Sequence, residues 1–379
     1  MSRSQKELPM ASSDNAAECC PGAVAGEDSY LALEENWLSG QIETAAGPVW
    51  RVDTTLNRKD QIDAVKMRLG IGRMSFAVPP GLYAVGNPDD ASSVIVSANY
   101  KLSFDSLRRE LSGLNLWILV LDTGGINVWC AAGKGTFGTA EVVRMVEASN
   151  LSEVVSHRTL ILPQLAAPGV AAHEVRSQAG FKVIYGPVRA ADIPGFLKAG
   201  LKAGPEMRRT SFTLAERLVL APVELVGVVR PLIGVAVILL LLNLIASYFG
   251  DGRFLLTSVL GNTVSASLPF VLAVVVGTVL VPALLPYIPG RPLAWKGWLL
   301  GVLLAFAYMT VIVPGITLLE TAAYYLVLPA ITAFLGMNFT GSTTYTSLSG
   351  VVKEMGVALP LIIISAGLGL IGLGTAYFV

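Results

Sequence analysis

From residue 116 the chain reads Leu116-Trp117-Ile118-Leu119-Val120-Leu121, and from residue 127 it reads Asn127-Val128-Trp129-Cys130-Ala131-Ala132-Gly133-Lys134-Gly135-Thr136. The first stretch is short and wholly apolar, which predicts a strand buried on both faces of a sheet. The second leads into residues 139–148, whose apolar positions recur with the period of a helix. We therefore expect Cys130 at the edge of a sheet, between a strand and a helix.

Further runs extend this pattern into an α/β domain. Strand-like apolar runs occur at residues 93–97, 159–162 and 182–185, and helix-period stretches occur at residues 102–111, 139–148 and 171–179. Short apolar strands that alternate with helices predict a Rossmann-like parallel sheet covered on both faces. Ligands of such sheets bind beside the carboxyl ends of the strands, and the Cys130 segment follows a strand directly.

The composition is that of a protein that lies partly in lipid. Of the 379 residues, 53% are apolar and 14% are charged, which is too apolar for a wholly soluble protein. The formal net charge is zero, so the sequence lacks the global basic field that nucleic-acid binding needs. We expect a membrane partner and no nucleic acid.

The carboxyl-terminal part of the chain carries the apolar segments. An uncharged stretch of about 20 residues is long enough to cross the hydrocarbon layer of a bilayer. Five spans are predicted, at residues 231–249, 267–288, 297–319, 321–337 and 355–379. Residues 254–266 are apolar but too short to cross alone, which indicates an interfacial or re-entrant piece.

The predicted domains are a disordered tail at residues 1–29, an α/β domain at 30–205, an amphipathic connecting helix at 206–230 and an all-α transmembrane domain at 231–379. The start of the chain lacks the pattern of a secretory signal, which indicates a cytoplasmic α/β domain. The basic residues near the spans then obey the positive-inside rule, with Arg208, Arg209, Arg217, Arg230, Arg291, Lys296 and Lys353 inside and Arg253 outside. We therefore predict a multi-pass protein of the inner (cytoplasmic) membrane.

A Thr- and Ser-rich stretch at 338–347 would face the α/β domain, either as a plain surface loop or as a docking or substrate-passage site.

The three cysteines are Cys19, Cys20 and Cys130, and their spacing fits neither a disulfide framework nor a zinc site. Adjacent thiols at Cys19 and Cys20 can chelate soft metal ions, but two exposed thiols without a role are the simpler interpretation. A lone cysteine after a strand is usually a small core residue. The neighbouring glycines favour a ligand of a large cofactor instead, because they let the backbone approach it closely: Gly124, Gly125, Gly133, Gly135 and Gly138.

Two phosphate-binding motifs fit this segment poorly. A phosphate-binding loop would require glycine at 128 and Ser or Thr at 135, where the chain has Val128 and Gly135. A dinucleotide fingerprint is met by Gly133, Gly135 and Gly138, but these glycines do not directly follow the strand. No ribose-binding acid is obvious about 20 residues later, so the match is weak.

The segment Asn127-Val128-Trp129-Cys130-Ala131-Ala132-Gly133-Lys134 resembles the signature of the membrane-anchored corrinoid proteins that methylate mercury. Residues 123–126 and 135–141 are similar to the same family, and the α/β setting and the following spans extend the likeness to most of the chain. The α/β domain is also similar to the corrinoid iron–sulfur protein of acetyl-CoA synthesis. The resemblance implies a corrinoid-binding domain in which a short cap helix covers the lower face of cobalamin.

The resemblance also implies a role for each residue of this segment. Cys130 would ligate the cobalt as its lower axial ligand and would be the catalytic residue. The rest of the cap would be Asn127, Val128, Trp129, Ala131 and Ala132, and the turn after it would be closed by Gly133, Lys134, Gly135 and Thr136. Neither His157 nor His173 lies in the Asp-x-His-x-x-Gly motif of the other cobalamin domains, so both are expected to be ordinary surface or core residues.

A thiolate ligand suits a methyl group that leaves with both bonding electrons, because soft sulfur pushes electron density through the metal. Mercuric ion is an electrophile that needs such a carbanion equivalent. The cobalt must afterwards be reduced at low potential, and three cysteines are too few for an iron–sulfur cluster in this chain. The resemblance implies a ferredoxin-like partner with two 4Fe–4S clusters and a folate-type methyltransferase as methyl donor.

These observations predict a corrinoid-dependent methyltransferase that converts mercuric ion to methylmercury. A corrinoid methyl carrier with another acceptor in one-carbon metabolism is one alternative, because no residue by itself specifies mercury. A membrane transporter with a ligand-sensing domain is another. The spans argue against transport, since ionisable residues are nearly absent from them apart from boundary groups such as Glu320.

Overall fold

The computed structural model describes residues 35–249, 256–313, 317–339 and 348–376. The predicted tail with Cys19 and Cys20, Arg253, and residues 340–347 of the Thr- and Ser-rich stretch lie outside the described residues. The described chain forms an α/β domain first and a set of long helices after it.

The α/β domain is built on a mixed sheet, in which the described strands follow the order β1-β2-β3-β5-β4-β6-β7. These strands are β1 Leu38–Thr44, β2 Gly47–Val52, β3 Gly81–Val85, β4 Val94–Ala98, β5 Leu116–Leu121, β6 Thr159–Leu162 and β7 Lys182–Tyr185. Strands β5, β4, β6 and β7 are mutually parallel, as their apolar runs predicted. The prediction of a wholly parallel sheet was wrong, because β1 and β2 form an antiparallel hairpin and β3 runs antiparallel to β5.

Helices cover both faces of the sheet. In chain order they are α1 Arg58–Arg68, α2 Lys101–Glu110, α3 Val128–Lys134, α4 Thr139–Ala148, α5 Leu151–Val154, α6 Ala172–Ala179 and α7 Ile193–Lys198. On one face, α4 and α6 contribute Val142 and Val175 to a buried core. On the other face, α2 and α7 contribute Phe104 and Phe196 to a second core. The helices predicted at 102–111, 139–148 and 171–179 are thus confirmed within one residue as α2, α4 and α6.

Strands β1 and β2 and helix α1 lack an apolar signature in the sequence. Strands β1 and β2 lie at the edge of the sheet and are only partly buried, so polar residues occupy many of their positions. Helix α1 buries Asp60, Asp63 and Met67 in place of an apolar stripe. These elements are placed by contacts with distant parts of the chain, which local periodicity does not report.

A buried cluster of charged side chains joins α1 to α2. Lys101 Nζ lies 2.9 Å from Asp60 Oδ1 and 2.6 Å from Asp105 Oδ2. Arg108 lies 2.7 Å from Asp60 through Nη2 and 2.8 Å from Asp105 through Nε. Burial raises the pKa of Asp60, but hydrogen bonds from Lys101, the Asn57 backbone and Arg108 outweigh it, so the pKa lies below its usual value. Two cations therefore compensate two anions in a region closed to water.

After the α/β domain the chain has a short helix, α8 Leu214–Leu218, and then long apolar helices. These are α9 Ala221–Phe249, α10 Leu256–Val275, which continues through a π-helical turn at Val276–Leu280 into α11 Val281–Leu284, α12 Leu293–Ala307, α13 Leu318–Asn338 and α14 Leu348–Ala376. Among the described residues, five helical segments are long and apolar enough to cross a membrane. The predicted number of apolar helices is therefore confirmed.

Three predicted segments in this part of the chain were wrong. The span predicted at 297–319 ends at Ile312, and Leu318 already begins α13. Residues 206–230 do not form one connecting helix, because they hold a 3₁₀ turn at Glu206–Arg208, then α8, and then the start of α9. Of the predicted interfacial or re-entrant piece at 254–266, the described residues 256–266 are not a separate element, because they form the first part of α10. The hydroxyl of Thr263 in this part of α10 donates to the Val259 carbonyl of the same helix at 2.8 Å.

Helices α12 and α13 pack closely through small residues. A Cβ on Gly297 would lie 2.8 Å from the Cα of Ala333, and a Cβ on Gly301 would lie 2.5 Å from the Cα of Pro329. Only glycine permits so close an approach. The four-residue spacing of Gly297 and Gly301 is the small-residue pattern of associating transmembrane helices.

Helix α8 links the α/β domain to the long helices through two arginine side chains, one from the domain and one of its own. Arg189 Nη2 lies 2.5 Å from Glu216 Oε1 on α8. The next residue, Arg217, is buried, and its Nη1 donates to the carbonyl of Pro282 at 3.0 Å and to that of Ala283. Because these carbonyls lie in the last turn of α11, neighbouring residues of α8 connect the domain to the end of an apolar helix.

Replacing Arg108 with methionine should lower the free energy of unfolding by about 3–5 kcal/mol, because removal of one partner leaves buried charge uncompensated. Its neighbour Arg109 is 57% exposed and pairs with Glu110 at the surface, so Arg109→Met is the matched control. We expect that control to lose less than about 1 kcal/mol. Thermal unfolding of the full chain in detergent, followed by tryptophan fluorescence, compares the two variants. Equal losses would contradict the role assigned to the cluster.

Candidate functional site

The parallel part of the sheet places its carboxyl ends around one cavity. Strand β4 lies between β5 and β6, so the chain moves to one side of β4 in its first crossover and to the other side in its second. In doubly wound sheets, ligands bind at this reversal. A cavity of about 620 Å³ lies there, and it is lined by Ser97 from β4, Pro163 after β6 and Gly186 after β7.

The loop after β5 is held by the buried side chain of Asn99, which directly follows β4. Asn99 Oδ1 accepts hydrogen bonds from the Thr123 N–H at 3.1 Å, from the Thr123 hydroxyl at 2.8 Å and from the Gly125 N–H at 3.0 Å. Asn99 Nδ2 donates to Asp122 Oδ1 at 3.1 Å. Gly124 and Gly125 have φ values of 66° and 70°, which favour glycine. One side chain thus fixes the backbone that leads from β5 to α3.

The cysteine-bearing segment forms the short helix α3. Asn127 is its N-cap residue, and Asn127 Oδ1 accepts a hydrogen bond from the Cys130 N–H at 2.9 Å. The helix ends at Gly135, whose φ is 85°. Gly133 and Lys134 therefore belong to the helix, so the prediction that they form the closing turn was wrong. The chain turns only from Gly135 onward, into the exposed Thr136.

The two faces of α3 have different surroundings. Ala131 and Ala132 are buried in the core of the domain, and Val128 packs against the same core. At about 3.6 residues per turn, Trp129 and Cys130 point away from that face. Asn127, Val128 and Trp129 line the cavity, whereas Cys130 is partly exposed on the helix next to them and is not among the lining residues. Helix α3 therefore bounds the cavity, and its thiol lies on the side away from the core.

The segment after β6 contacts α3 where the helix meets the core. A Cβ on Gly169 would lie 2.4 Å from the carbonyl oxygen of Phe137 and 3.0 Å from the Cα of Ala132. Only glycine fits, because backbone atoms cannot move aside. Phe137 is completely buried. This contact fixes the position of α3 relative to the sheet.

The two histidines lie away from the cavity, one between backbone segments and one at the surface. His157 Nε2 lies 2.9 Å from the Ser92 carbonyl, and His157 Nδ1 accepts a hydrogen bond from the Thr159 N–H at 3.2 Å. The ring therefore bridges two backbone segments. His173 is exposed on α6, 3.9 Å from Glu174. Neither residue is among those that line the cavity.

Several residues that build the site were absent from the sequence prediction: Asn99, Asp122, Gly169, Arg189 and Glu216. Asn99 had a signal, since a polar residue directly after a buried strand often lies at a ligand edge. Gly169 and Glu216 had none. Their roles arise from contacts with α3 and Arg189, which lie far from them in the sequence.

Residues 66–197 match the family model of the CO dehydrogenase/acetyl-CoA synthase delta subunit. This range includes α3 and the strands around the cavity. Among the curated relatives, the acetyl-CoA decarbonylase/synthase complex subunit gamma of Methanopyrus kandleri is 34% identical over 127 residues, 33% of this chain and 27% of that protein. The same subunit of Methanocaldococcus jannaschii is 33% identical over 128 residues, 33% of this chain and 26% of that protein. The subunit of Archaeoglobus fulgidus is 32% identical over 128 residues, 33% of this chain and 27% of that protein.

The chain therefore spans about a quarter of the length of the curated relatives it matches. The matched part confirms the predicted relation to proteins of the acetyl-CoA synthase system. The family match ends at residue 197, before α8 and the long apolar helices begin.

Replacing Asn99 with alanine should cost about 1–3 kcal/mol of unfolding free energy, because the buried donors of Thr123 and Gly125 lose their acceptor. The control is Asn115→Ala, which removes an exposed hydrogen bond to the Asn87 N–H. Thermal unfolding of both variants measures the difference. A loss for Asn99→Ala no greater than that of the control would show that the loop holds itself without this side chain.

Gly169→Ala should displace α3 or the segment beside it, at a cost of about 1–3 kcal/mol for overpacking. Gly204→Ala is the matched control, because a Cβ on Gly204 meets no atom within 4 Å. We expect it to be neutral. Exposure of the Cys130 thiol, measured by its rate of reaction with a thiol reagent after Cys19 and Cys20 are replaced by serine, should change only in Gly169→Ala. An unchanged rate and stability in that variant would refute the contact.

Proposed function

We propose that this chain is a membrane-anchored, corrinoid-dependent methyltransferase that transfers a methyl group with both bonding electrons to mercuric ion and so forms methylmercury. The observation that carries the proposal is the placement of the partly exposed Cys130 on α3, directly after Val128 and Trp129, which line the cavity at the reversal of the sheet. The sequence of α3 also resembles the signature of the mercury-methylating corrinoid proteins. Mercuric ion enters the proposal as substrate.

The chemistry of the site suits a large cofactor with a transition metal. The lining combines apolar side chains with hydroxyls at Ser97, Ser103 and Ser106, which can bond to the amide groups at the rim of a corrinoid. Cys130 supplies a soft sulfur donor of the kind that transition metals bind. Trp129 and the three serines would hold the corrinoid, with Cys130 as cobalt ligand. When bound, the corrinoid supplies the metal centre that carries the methyl group.

The side chains of α3 have separate tasks in this proposal. Cys130 would hold the cobalt, and its soft sulfur would donate electron density to the metal. Asn127 holds the first turn of the helix through the Cys130 N–H. The small side chains of Ala131 and Ala132 let the helix lie against the core. Trp129 excludes water from the part of the cavity that it lines.

We further propose that the long helices cross the inner (cytoplasmic) membrane and that the α/β domain lies in the cytoplasm. Tyr287 and the stacked, partly exposed rings of Trp295 and Trp298 lie at the ends of α11 and α12 that are nearest α8. Tyrosine and tryptophan concentrate at membrane interfaces. The basic residues Arg217, Arg291 and Lys296 lie at the same end of these helices, and an excess of basic residues supports this end as the cytoplasmic one.

The proposal implies two protein partners. The cobalt needs a low-potential reductant, for which we propose a ferredoxin-like protein with two 4Fe–4S clusters. The methyl group needs a donor, for which we propose a folate-type methyltransferase. The relation of residues 66–197 to subunits of the acetyl-CoA decarbonylase/synthase complex supports an exchange of methyl groups with other proteins.

The same relation favours a second candidate function. A corrinoid methyl carrier of one-carbon metabolism would use the same domain and deliver the methyl group to a different acceptor. The two functions differ in the electrons that accompany the methyl group. Incubation of the methyl-loaded protein with either mercuric ion or a thiol acceptor separates them: methylmercury supports the first function, and a methyl thioether supports the second.

Cys130→Ala should abolish or reduce mercury methylation by at least about 100-fold while the domain stays folded, because the metal loses its strongly donating ligand. The full-length protein, reconstituted with cobalamin, should show an ultraviolet–visible spectrum of thiolate-ligated cobalt that the variant lacks. The control is Cys19→Ser combined with Cys20→Ser, which should keep both the spectrum and the activity if the tail thiols have no role. Full methylating activity in Cys130→Ala would contradict the assignment of the ligand.

A further inference from the structure

Helix α1 turns an acidic face inward and an apolar face outward. Asp60, Asp63 and Met67 are buried, and Asp60 belongs to the charge cluster with Lys101 and Arg108. On the opposite side, Ile62 and Val65 are 55% and 54% exposed. Exposed isoleucine and valine on successive turns, opposite a buried face, form a strip that lacks a partner within the described residues.

Basic residues flank this strip on both sides. At about 3.6 residues per turn, Ile62, Val65 and Leu69 line up along the helix. Lys59 and Lys66 then lie on one side of them and Arg68 lies on the other. The two acidic residues of α1 are buried, and Asp63 is 3.7 Å from Lys66. The exposed charges of α1 are therefore basic: Arg58, Lys59, Lys66 and Arg68.

The strip continues toward the first apolar helix. Ile71, just after α1, is 53% exposed. At Gly70, between α1 and Ile71, a Cβ would lie 3.2 Å from Val223 Cγ2, in the first turn of α9. The end of α1 therefore contacts the helix that leads into the proposed membrane.

The length of α9 indicates how far this contact lies from the hydrocarbon layer of the proposed membrane. Its 29 residues span about 43 Å at about 1.5 Å per residue, whereas the hydrocarbon layer is about 30 Å thick. The uncharged stretch from Pro231 to Phe249 fills that layer. Val223 then lies about 12 Å beyond Pro231, a few ångströms outside the lipid headgroups, whose layer is about 5–8 Å deep on each side. Helix α1 ends at this level.

We propose that α1 is a second membrane contact of this protein: its apolar strip (Ile62, Val65, Leu69 and Ile71) enters the headgroup layer, and its basic flanks bind anionic phospholipids. An apolar strip with lysine on one side and arginine on the other is the pattern of interfacial helices, and basic residues attract the anionic cytoplasmic leaflet. The inference rests on the proposed membrane location. Because the buried charge cluster fixes α1 to α2, contact of α1 with lipid would set the orientation of the whole α/β domain, and with it the direction in which the cavity opens.

The test uses the full-length chain with Cys19, Cys20 and Cys130 replaced by serine and a single reporter, Val65→Cys labelled with an environment-sensitive fluorophore. The chain is placed in nanodiscs of phosphatidylcholine, with or without phosphatidylglycerol, that contain a headgroup-spin-labelled lipid as quencher. The control reporter is Ser177→Cys on α6, which lies on the other face of the sheet and is exposed. We expect quenching at position 65 to exceed that at 177 at least threefold, and to increase with the anionic lipid.

A second variant separates charge from simple proximity. With Lys59, Lys66 and Arg68 all changed to glutamine, quenching at position 65 should fall to the level in phosphatidylcholine alone. Salt at 1 M, where the Debye length is about 3 Å, should have the same effect on the unsubstituted helix. Equal quenching at 65 and 177 would overturn the inference and leave α1 as a surface for a protein partner.

Extraction of the same membranes with alkaline carbonate distinguishes failure of the inference from failure of the proposed function. If the chain resists extraction but position 65 is not quenched, α1 does not contact lipid and the membrane location still stands. If carbonate releases the chain, the proposed membrane location itself is wrong, and the inference falls with it.

Discussion

The hydrogen bonds of Asn99 hold the backbone between β5 and α3, and the chemistry of the site depends on where α3 lies. One amide oxygen accepts three donors from the loop, and the amide nitrogen binds Asp122. Gly169 fixes the same helix from the opposite side by an approach that no larger residue permits. Together with the burial of Ala131 and Ala132 in the core, these two constraints determine the position of Cys130.

A second set of constraints connects this site to the long helices. Arg189 at the cavity binds Glu216, and Arg217, the next residue, binds the carbonyls at the end of α11. The end of α1 contacts the first turn of α9. The α/β domain therefore has contacts with the apolar helices at separate places, which restrict its rotation relative to them.

The part of the fold that the sequence predicted is the part whose signal is local. The uninterrupted apolar run at Leu116–Leu121 and the periodic helix at Thr139–Ala148 have the predicted bounds, since burial alone determines them. The hairpin β1–β2 and helix α1 could not be predicted in this way, because α1 buries a salt-bridged acidic face whose partners lie on α2. For the site, the residues of α3 were predicted by resemblance. Gly169 could not be predicted, because it acts through a contact with a distant segment, and Asn99 had only the signal of a polar residue that directly follows a buried strand.

The central claim is that Cys130 binds the cobalt of a corrinoid. The most direct measurement is X-ray absorption at the cobalt edge of the full-length protein loaded with cobalamin, with Cys130→Ala alongside. The claim predicts one sulfur atom in the cobalt coordination shell of the unsubstituted protein and only nitrogen or oxygen ligands in the variant. A shell without sulfur in the unsubstituted protein, or the same shell in both proteins, would contradict it.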